Sequence, residues 1–133
     1  KHRGKALITK VPFWAIPKWM GVGDAGLALA RPSRAGQAMS PTRMGEYLST
    51  GLAVAATRGT GDLETHLDGS PVAVLVAQDD DPAGIAEALA VSAKYPGRAE
   101  LARGLAERLH DLSGGVAAYA RIYEQMGVAR IRG

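Results

Sequence analysis

Hydroxyl and cationic side chains cluster at a predicted helix start, where Ser40, Thr42 and Arg43 surround Pro41. Serine is a favoured N-cap and proline is favoured at the first helical position, so we predict a helix from Ser40 that ends at a C′ glycine, Gly51. No carboxylate lies in its first turn. Because free N–H groups and the positive end of a helix attract anions, this turn can bind a phosphate. The alternative is an ordinary capped helix with an exposed arginine.

Glu46 lies one turn further along the same predicted helix, at a spacing that allows an ion pair with Arg43. A carboxylate can accept two hydrogen bonds side by side, which suits a vicinal diol such as ribose. We predict that Tyr47 and Leu48 are buried, so one interpretation of Glu46 is a half-buried group beside a ligand. The other interpretation is a solvated surface carboxylate.

A glycine-rich loop, residues 57–62, follows a predicted strand and includes Thr60, Gly61 and Asp62. Glycine lets the backbone approach a ligand closely. The loop matches neither the P-loop nor the GxGxxG fingerprint, so a simple turn is the alternative. The acidic residues 79–81 are interpreted as a solvated helix cap and not as a metal site.

Apolar runs alternate with amphipathic segments through the first two-thirds of the chain, and the end is purely helical. We predict strands at 6–11, 25–30, 53–57 and 72–77. This alternation indicates an α/β fold, a Rossmann-like parallel sheet flanked by helices, with a helical C-terminus capped at Ser113. Since such sheets bind ligands at the carboxyl ends of their strands, we searched the loops at 31–40, 58–62 and 78–81 for a site.

Composition narrows the classes of function. The 133 residues predict one domain, 1–133, with a net charge of +3 and a pI of about 9.5. Without cysteine there are no disulfides, thiol nucleophiles or thiolate metal sites, and three dispersed histidines lack metal-ligand spacing, so we predict no metal. Seven aromatic residues and dispersed basic residues argue against nucleic acid as a partner.

No apolar run approaches the ~20 residues of a membrane span, and no signal peptide is visible. We therefore predict a cytoplasmic protein. A mildly basic surface suits an anionic small ligand or an anionic membrane equally well, so peripheral association with the inner face of the cell membrane stays open. The two tryptophans, Trp14 and Trp19, are expected to pack and not to bind a ligand.

Residues 40–62 read SPTRMGEYLSTGLAVAATRGTGD. This segment resembles the signature of GT-B type glycosyltransferases (glycosyltransferase group 1-like), which is approximately SPTKxGEYLAxGxPVVxTxxxGD. Residues 23–33 resemble the family's ADxGLxL…PS, and residues 113–123 resemble its SxxVxxYxxIY ending. The resemblance covers about residues 5–126, and its central stretch is specific.

The resemblance implies the C-terminal half of a GT-B fold, which holds a nucleotide-diphosphate sugar as substrate and needs no further cofactor. Glu46 matches the second Glu of the Glu-x7-Glu pattern of retaining members and would contact ribose. The first Glu falls at Ala38, and the family proline falls at Ala53, so the chain departs from the pattern twice. The backbone amides of Thr42 and Arg43 match those that face the diphosphate or sugar.

Donor binding for glycosyl transfer is therefore the predicted function. The predicted donor-binding residues are Ser40, Thr42, Arg43, Glu46, Thr60, Gly61 and Asp62. The bond-making residues are not assigned. The acceptor would bind to an N-terminal domain missing from this chain, so we expect a truncated domain that is inactive alone. The alternatives are a GT-B-fold sugar-nucleotide epimerase and, because of Ala38, a non-catalytic binding or interaction module.

Overall fold

The computed structural model of the protein describes residues 6–31, 33–77 and 79–127. Three strands lie in this part of the chain: β1 (Ala25–Ala28), β2 (Ala53–Thr57) and β3 (Ala73–Val76). A 3-10 turn over Phe13–Ala15 leads into the first helix. The helices are α1 (Ile16–Met20), α2 (Arg34–Gln37), α3 (Thr42–Ser49), α4 (Leu63–Leu67), α5 (Pro82–Ala93), α6 (Arg98–His110) and α7 (Leu112–Gln125).

The sheet has the order β1-β2-β3, and both pairings are parallel. Ala25 lies opposite Ala53, and Val54 lies opposite Ala73. All five residues of β2 are buried, because this strand has a neighbour on each side and helices on both faces. The predicted α/β fold, a Rossmann-like parallel sheet flanked by helices with a helical C-terminus, is confirmed.

The main core lies between the sheet and the helices α3, α4 and α6. Val54 and Ala56 of β2 belong to this core, together with Met44 and Leu48 of α3 and Leu105 of α6. The other face of β2 and β3 is covered by α5. Alternate residues of β2 therefore face different helices, as the two-residue period of a strand requires.

Helices α3 and α6 lie side by side in opposite directions. Gly45, near the start of α3, is close to His110 at the end of α6, and Gly51, just after α3, is close to Ala99 at the start of α6. Gly51 has φ +79° and follows the C-cap of α3, which confirms the predicted C′ glycine. This arrangement fixes the flank of α3 against the end of α6.

The prediction of a strand at residues 6–11 is wrong. Residues 6–10 are exposed and Val11 is partly buried, and the three described strands pair only with one another. A strand is stable only where a neighbouring strand satisfies its N–H and C=O groups. The apolar residues before Pro12 were therefore not sufficient to predict a strand. The predicted four-stranded sheet has three strands in the described part of the chain.

Two helices begin at different residues from those predicted. The N-cap of α3 is Pro41 and not Ser40, since Pro41 has extended backbone angles and Thr42 is the first helical residue. The N-cap of α7 is Asp111 and not Ser113, because Asp111 Oδ2 accepts a hydrogen bond from the Gly114 amide at 2.8 Å. The true N-cap is thus one residue after the predicted serine in α3 and two residues before it in α7.

The predicted loop at 31–40 contains a short helix, α2, capped by Ser33, whose Oγ accepts a hydrogen bond from the Gly36 amide at 2.9 Å. At the other end of the chain, α7 packs only loosely on the rest of the described residues. Its apolar stripe, at Val116, Tyr119, Tyr123 and Met126, is between 52% and 69% exposed. No helix in the described ranges is long and apolar enough to span a bilayer.

Candidate functional site

α3 connects two parallel strands, β1 and β2, so its start lies toward the carboxyl ends of the strands. Its N-cap, Pro41, makes no side-chain hydrogen bond, and Met44 N donates to Pro41 O at 2.9 Å. The amides of Thr42 and Arg43 precede Met44 N, the first amide that donates a hydrogen bond within the helix, and both residues are exposed. No acidic residue lies in this turn. The helix start therefore presents N–H groups, a hydroxyl and a guanidinium together.

Arg43 and Glu46 form an ion pair along α3, with Nη1 at 3.1 Å from Oε2. Their side chains are 52% and 38% exposed. Oε2 itself is inaccessible to solvent and accepts no hydrogen bond from any described residue. The contact with Arg43 is thus an ion pair without the alignment of a hydrogen bond, and a ligand can reach only the exposed part of the Glu46 side chain.

Glu46 lies between two cavities, one on each side of α3. The larger is a groove of about 540 Å³ between α3 and the junction of α6 and α7, and its walls include Thr42, Ser49 and His110. The smaller has a volume of about 200 Å³ and lies between α3 and the segment 13–20. Phe13 lines it together with Glu46. A ligand in either cavity can therefore contact the Glu46 carboxylate.

The loop after β2 is held in place by its own contacts. Arg58 Nη1 lies 2.5 Å from Glu64 Oε1, which joins the loop to α4. Gly61 donates its amide to Gly36 O at 3.1 Å, and Thr60 is only 2% exposed. The Thr60 side chain therefore faces the protein interior, and the glycine-rich loop packs against α2.

Ser40 and Asp62 share a third cavity, of about 70 Å³, below the start of α3. Asp62 Oδ2 lies 3.1 Å from His66 Nε2, one turn along α4. His66 and His110 also line this cavity. The space is smaller than a nucleotide, so Ser40 and Asp62 border the predicted site without forming its main wall.

The structure thus brings Thr42 and Glu46 together in the wall of the larger groove, and Arg43 pairs with Glu46 but lines neither cavity. It places Ser40 and Asp62 together in the adjacent small cavity. Thr60 and Gly61 belong to the loop after β2, where Thr60 is buried and Gly61 donates a hydrogen bond to α2. Ala38, where the family pattern has its first Glu, is the C-cap of α2.

Sequence reasoning missed the aromatic wall of the smaller cavity. Trp14 is 81% exposed and lines this cavity near Glu46, whereas the sequence predicted packing for it. Ile16 and Met20 line the same cavity, so the helical spacing of these two residues was the signal that one face of α1 borders it. Trp19 is 48% exposed and does not line the cavity.

The described residues contain no group of three or more His, Asp or Glu side chains that could hold a metal ion. The chemistry offered by the site is therefore that of backbone amides, a guanidinium, a carboxylate and aromatic rings. Comparison of the chain with family models, with curated proteins and with solved structures finds no match, so the function rests on the geometry of this site.

Proposed function

We propose that this chain is the C-terminal, donor-binding half of a GT-B type glycosyltransferase, and that it binds a nucleotide-diphosphate sugar. A parallel α/β sheet with a loop–helix junction beyond its carboxyl edge is compatible with this role. The resemblance of residues 40–62 to the family signature suggests the role, and the geometry around α3 supports it.

The position of Glu46 carries the proposal. Its carboxylate lies one turn from a helix start without acidic residues, at the boundary of two cavities, with an oxygen that accepts no hydrogen bond from the described residues. The Glu46 side chain is 38% exposed, so a hydroxyl donor in a cavity can reach its exposed part, and a hydrogen bond to a charged group contributes about 1.5–3 kcal/mol. A ribose diol offers two such donors.

The other groups suit the rest of a nucleotide. Phosphate oxygens can accept hydrogen bonds from the amides of Thr42 and Arg43, with the guanidinium of Arg43 adding charge. A base attached to a ribose at Glu46 can lie against Trp14 and Phe13 in the smaller cavity. The acceptor would bind to a second Rossmann-like half, so we expect this chain alone to bind donor without transferring sugar.

Calorimetric titration of the chain with uridine, guanosine and adenosine diphosphates tests this proposal. Saturable binding that is weakened in Glu46→Gln supports it. Glu87→Gln is the control, because Glu87 is an exposed carboxylate on α5 and lies outside both cavities. No binding of any nucleotide by the unmodified chain would favour a non-catalytic module.

If nucleotide binds, a longer parent protein with both halves distinguishes the two enzymatic alternatives. Release of free nucleotide in the presence of donor and acceptor indicates a transferase. Conversion of the sugar without an acceptor indicates an epimerase that uses the same nucleotide site.

A further inference from the structure

The basic residues of the chain are unevenly distributed. The first 23 residues contain five basic residues and no acidic residue: Lys1, Arg3, Lys5, Lys10 and Lys18. The remainder contains eleven basic and thirteen acidic residues, so the start of the chain carries more than the entire net charge of +3. Lys10 and Lys18 lie in the described part of this stretch, and both are exposed.

The same stretch exposes large apolar side chains. It contains both tryptophans and the single phenylalanine of the chain. The exposed apolar residues are Leu7 (77%), Ile8 (96%), Phe13 (82%), Trp14 (81%), Trp19 (48%) and Val22 (79%). Such a dense set of exposed apolar residues within 6–22 is unusual for a surface that meets only water, and it marks an interaction surface.

We propose that residues 6–22, the basic aromatic segment, bind the surface of an anionic lipid bilayer. Tryptophan prefers the headgroup region, where its ring lies near the acyl chains while its N–H remains hydrated, and phenylalanine adds apolar contact with the acyl chains. Lys10 and Lys18 lie beside these rings in sequence and match the negative charge of the headgroups. Apolar side chains together with cations and without acidic residues are the composition of an interfacial segment.

Nucleic acid fits this surface less well. Its interfaces are polar, and exposed aliphatic side chains such as Leu7, Ile8 and Val22 gain nothing from phosphates or base edges. A bilayer accommodates aliphatic and aromatic groups alike. Lys10, Lys18, Trp19 and Val22 line neither cavity at Glu46, so changes at these four residues separate bilayer binding from donor binding, whereas Phe13 and Trp14 line the smaller cavity.

Vesicle flotation tests the proposal. The full chain is mixed with vesicles of equal parts phosphatidylglycerol and phosphatidylcholine, or with phosphatidylcholine alone. We expect the chain to float with the anionic vesicles only, to be released in part by high salt, and to show a blue shift of tryptophan emission on binding. Equal flotation with both vesicles, no flotation, or binding of a single-stranded RNA without vesicle binding would overturn the proposal.

Two double variants localise the surface. Lys10→Gln with Lys18→Gln should lower the partition coefficient by about fivefold per lysine, because each cation near an anionic surface contributes about 1 kcal/mol. Trp19→Ser with Val22→Ser should lower it by about tenfold or more. The control, Tyr119→Ser with Arg121→Gln, changes an exposed aromatic and an exposed cation on α7. A control loss as large as that of the segment variants, with far-UV circular dichroism unchanged, would overturn the assignment to residues 6–22.

Discussion

Arg43 Nη1 lies 3.1 Å from Glu46 Oε2, so the two side chains pair along α3 within one helical turn. Both are more than one-third exposed, and an exposed pair of this kind contributes about 0.3–0.5 kcal/mol to folding. The pair therefore contributes little to stability. Glu46 lines two cavities and Arg43 lines neither, so either residue can be changed to test the proposed binding with little effect on the fold.

Glu46→Gln should weaken nucleoside diphosphate binding by about tenfold or more, since a hydrogen bond to a charged group contributes about 1.5–3 kcal/mol. A 2′-deoxynucleotide should show a smaller penalty, because it lacks one hydroxyl that the carboxylate binds. Titration calorimetry with ribo- and deoxyribonucleotides measures both effects. Equal affinity of the variant and the unmodified chain for both nucleotides would make Glu46 a surface carboxylate only.

Arg43→Ala should weaken the same binding through the phosphates and not through the ribose. We expect a loss of about fivefold to tenfold at low salt, because the variant lacks the guanidinium that adds positive charge to the helix start. The loss should be smaller at high salt, where ions screen this charge. The penalty should be the same for ribo- and deoxyribonucleotides. A salt-independent penalty, measured by titration at two ionic strengths, would contradict a phosphate contact.

The sequence contained most of the fold because several of its signals are local. Gly51 needs a positive φ to end α3, and Asp81 caps α5 by accepting a hydrogen bond from Gly84 N at 3.0 Å. Strand pairing is not local, so residues 6–11 resembled a strand without having a neighbour. The exact helix starts were also missed, because Ser40 and Pro41 both fit a cap and only the backbone angles decide between them.

The candidate site was predicted in part for the same reason. Glu46 lies four residues after Thr42 and three after Arg43 on one helix, so spacing alone predicts that it neighbours each of them. The wall opposite Glu46 comes from Phe13 and Trp14, more than thirty residues earlier in the chain. That contact depends on how α1 packs against α3, and no spacing within one element reveals it.

Gly26→Ala should destabilise the protein by about 1–3 kcal/mol, because overpacking a tight contact forces neighbours to move. A Cβ at Gly26 would overlap the ring of Tyr47, with Cδ1 at only 2.7 Å. Gly104→Ala is the matched control, since nothing lies within 4 Å of a Cβ there and alanine favours the helix by about 0.5–1 kcal/mol. Urea unfolding of both variants measures the difference, and equal stabilities would contradict the packing of Tyr47 on β1.

Gly61→Ala and Gly59→Ala separate backbone strain from overlap in the loop after β2. Both glycines have positive φ, +53° and +70°, so alanine costs about 1–2 kcal/mol at either position. Only at Gly61 would a Cβ also overlap a neighbour, the carbonyl of Met39, whereas nothing lies near Gly59. Thermal unfolding should therefore show a larger loss for Gly61→Ala. Losses of equal size would mean that the loop does not pack on the segment after α2.

Thr57→Val should destabilise the protein by about 1–3 kcal/mol, although valine has nearly the same shape and favours strands. Thr57 is 5% exposed, and its Oγ1 accepts a hydrogen bond from the Ala30 amide at 2.9 Å, just beyond the end of β1. Valine would leave that partly buried N–H without an acceptor, which costs more than the methyl group gains. Thr57→Ser keeps the hydroxyl and loses only a methyl group, so its stability in urea unfolding should be closer to that of the unmodified chain.

The same hydrogen bond joins the carboxyl ends of β1 and β2, so Thr57→Val should also increase hydrogen exchange at the Ala30 amide. A Thr57→Val variant with unchanged exchange at Ala30 and full stability would show that this side chain does not hold the two strand ends together.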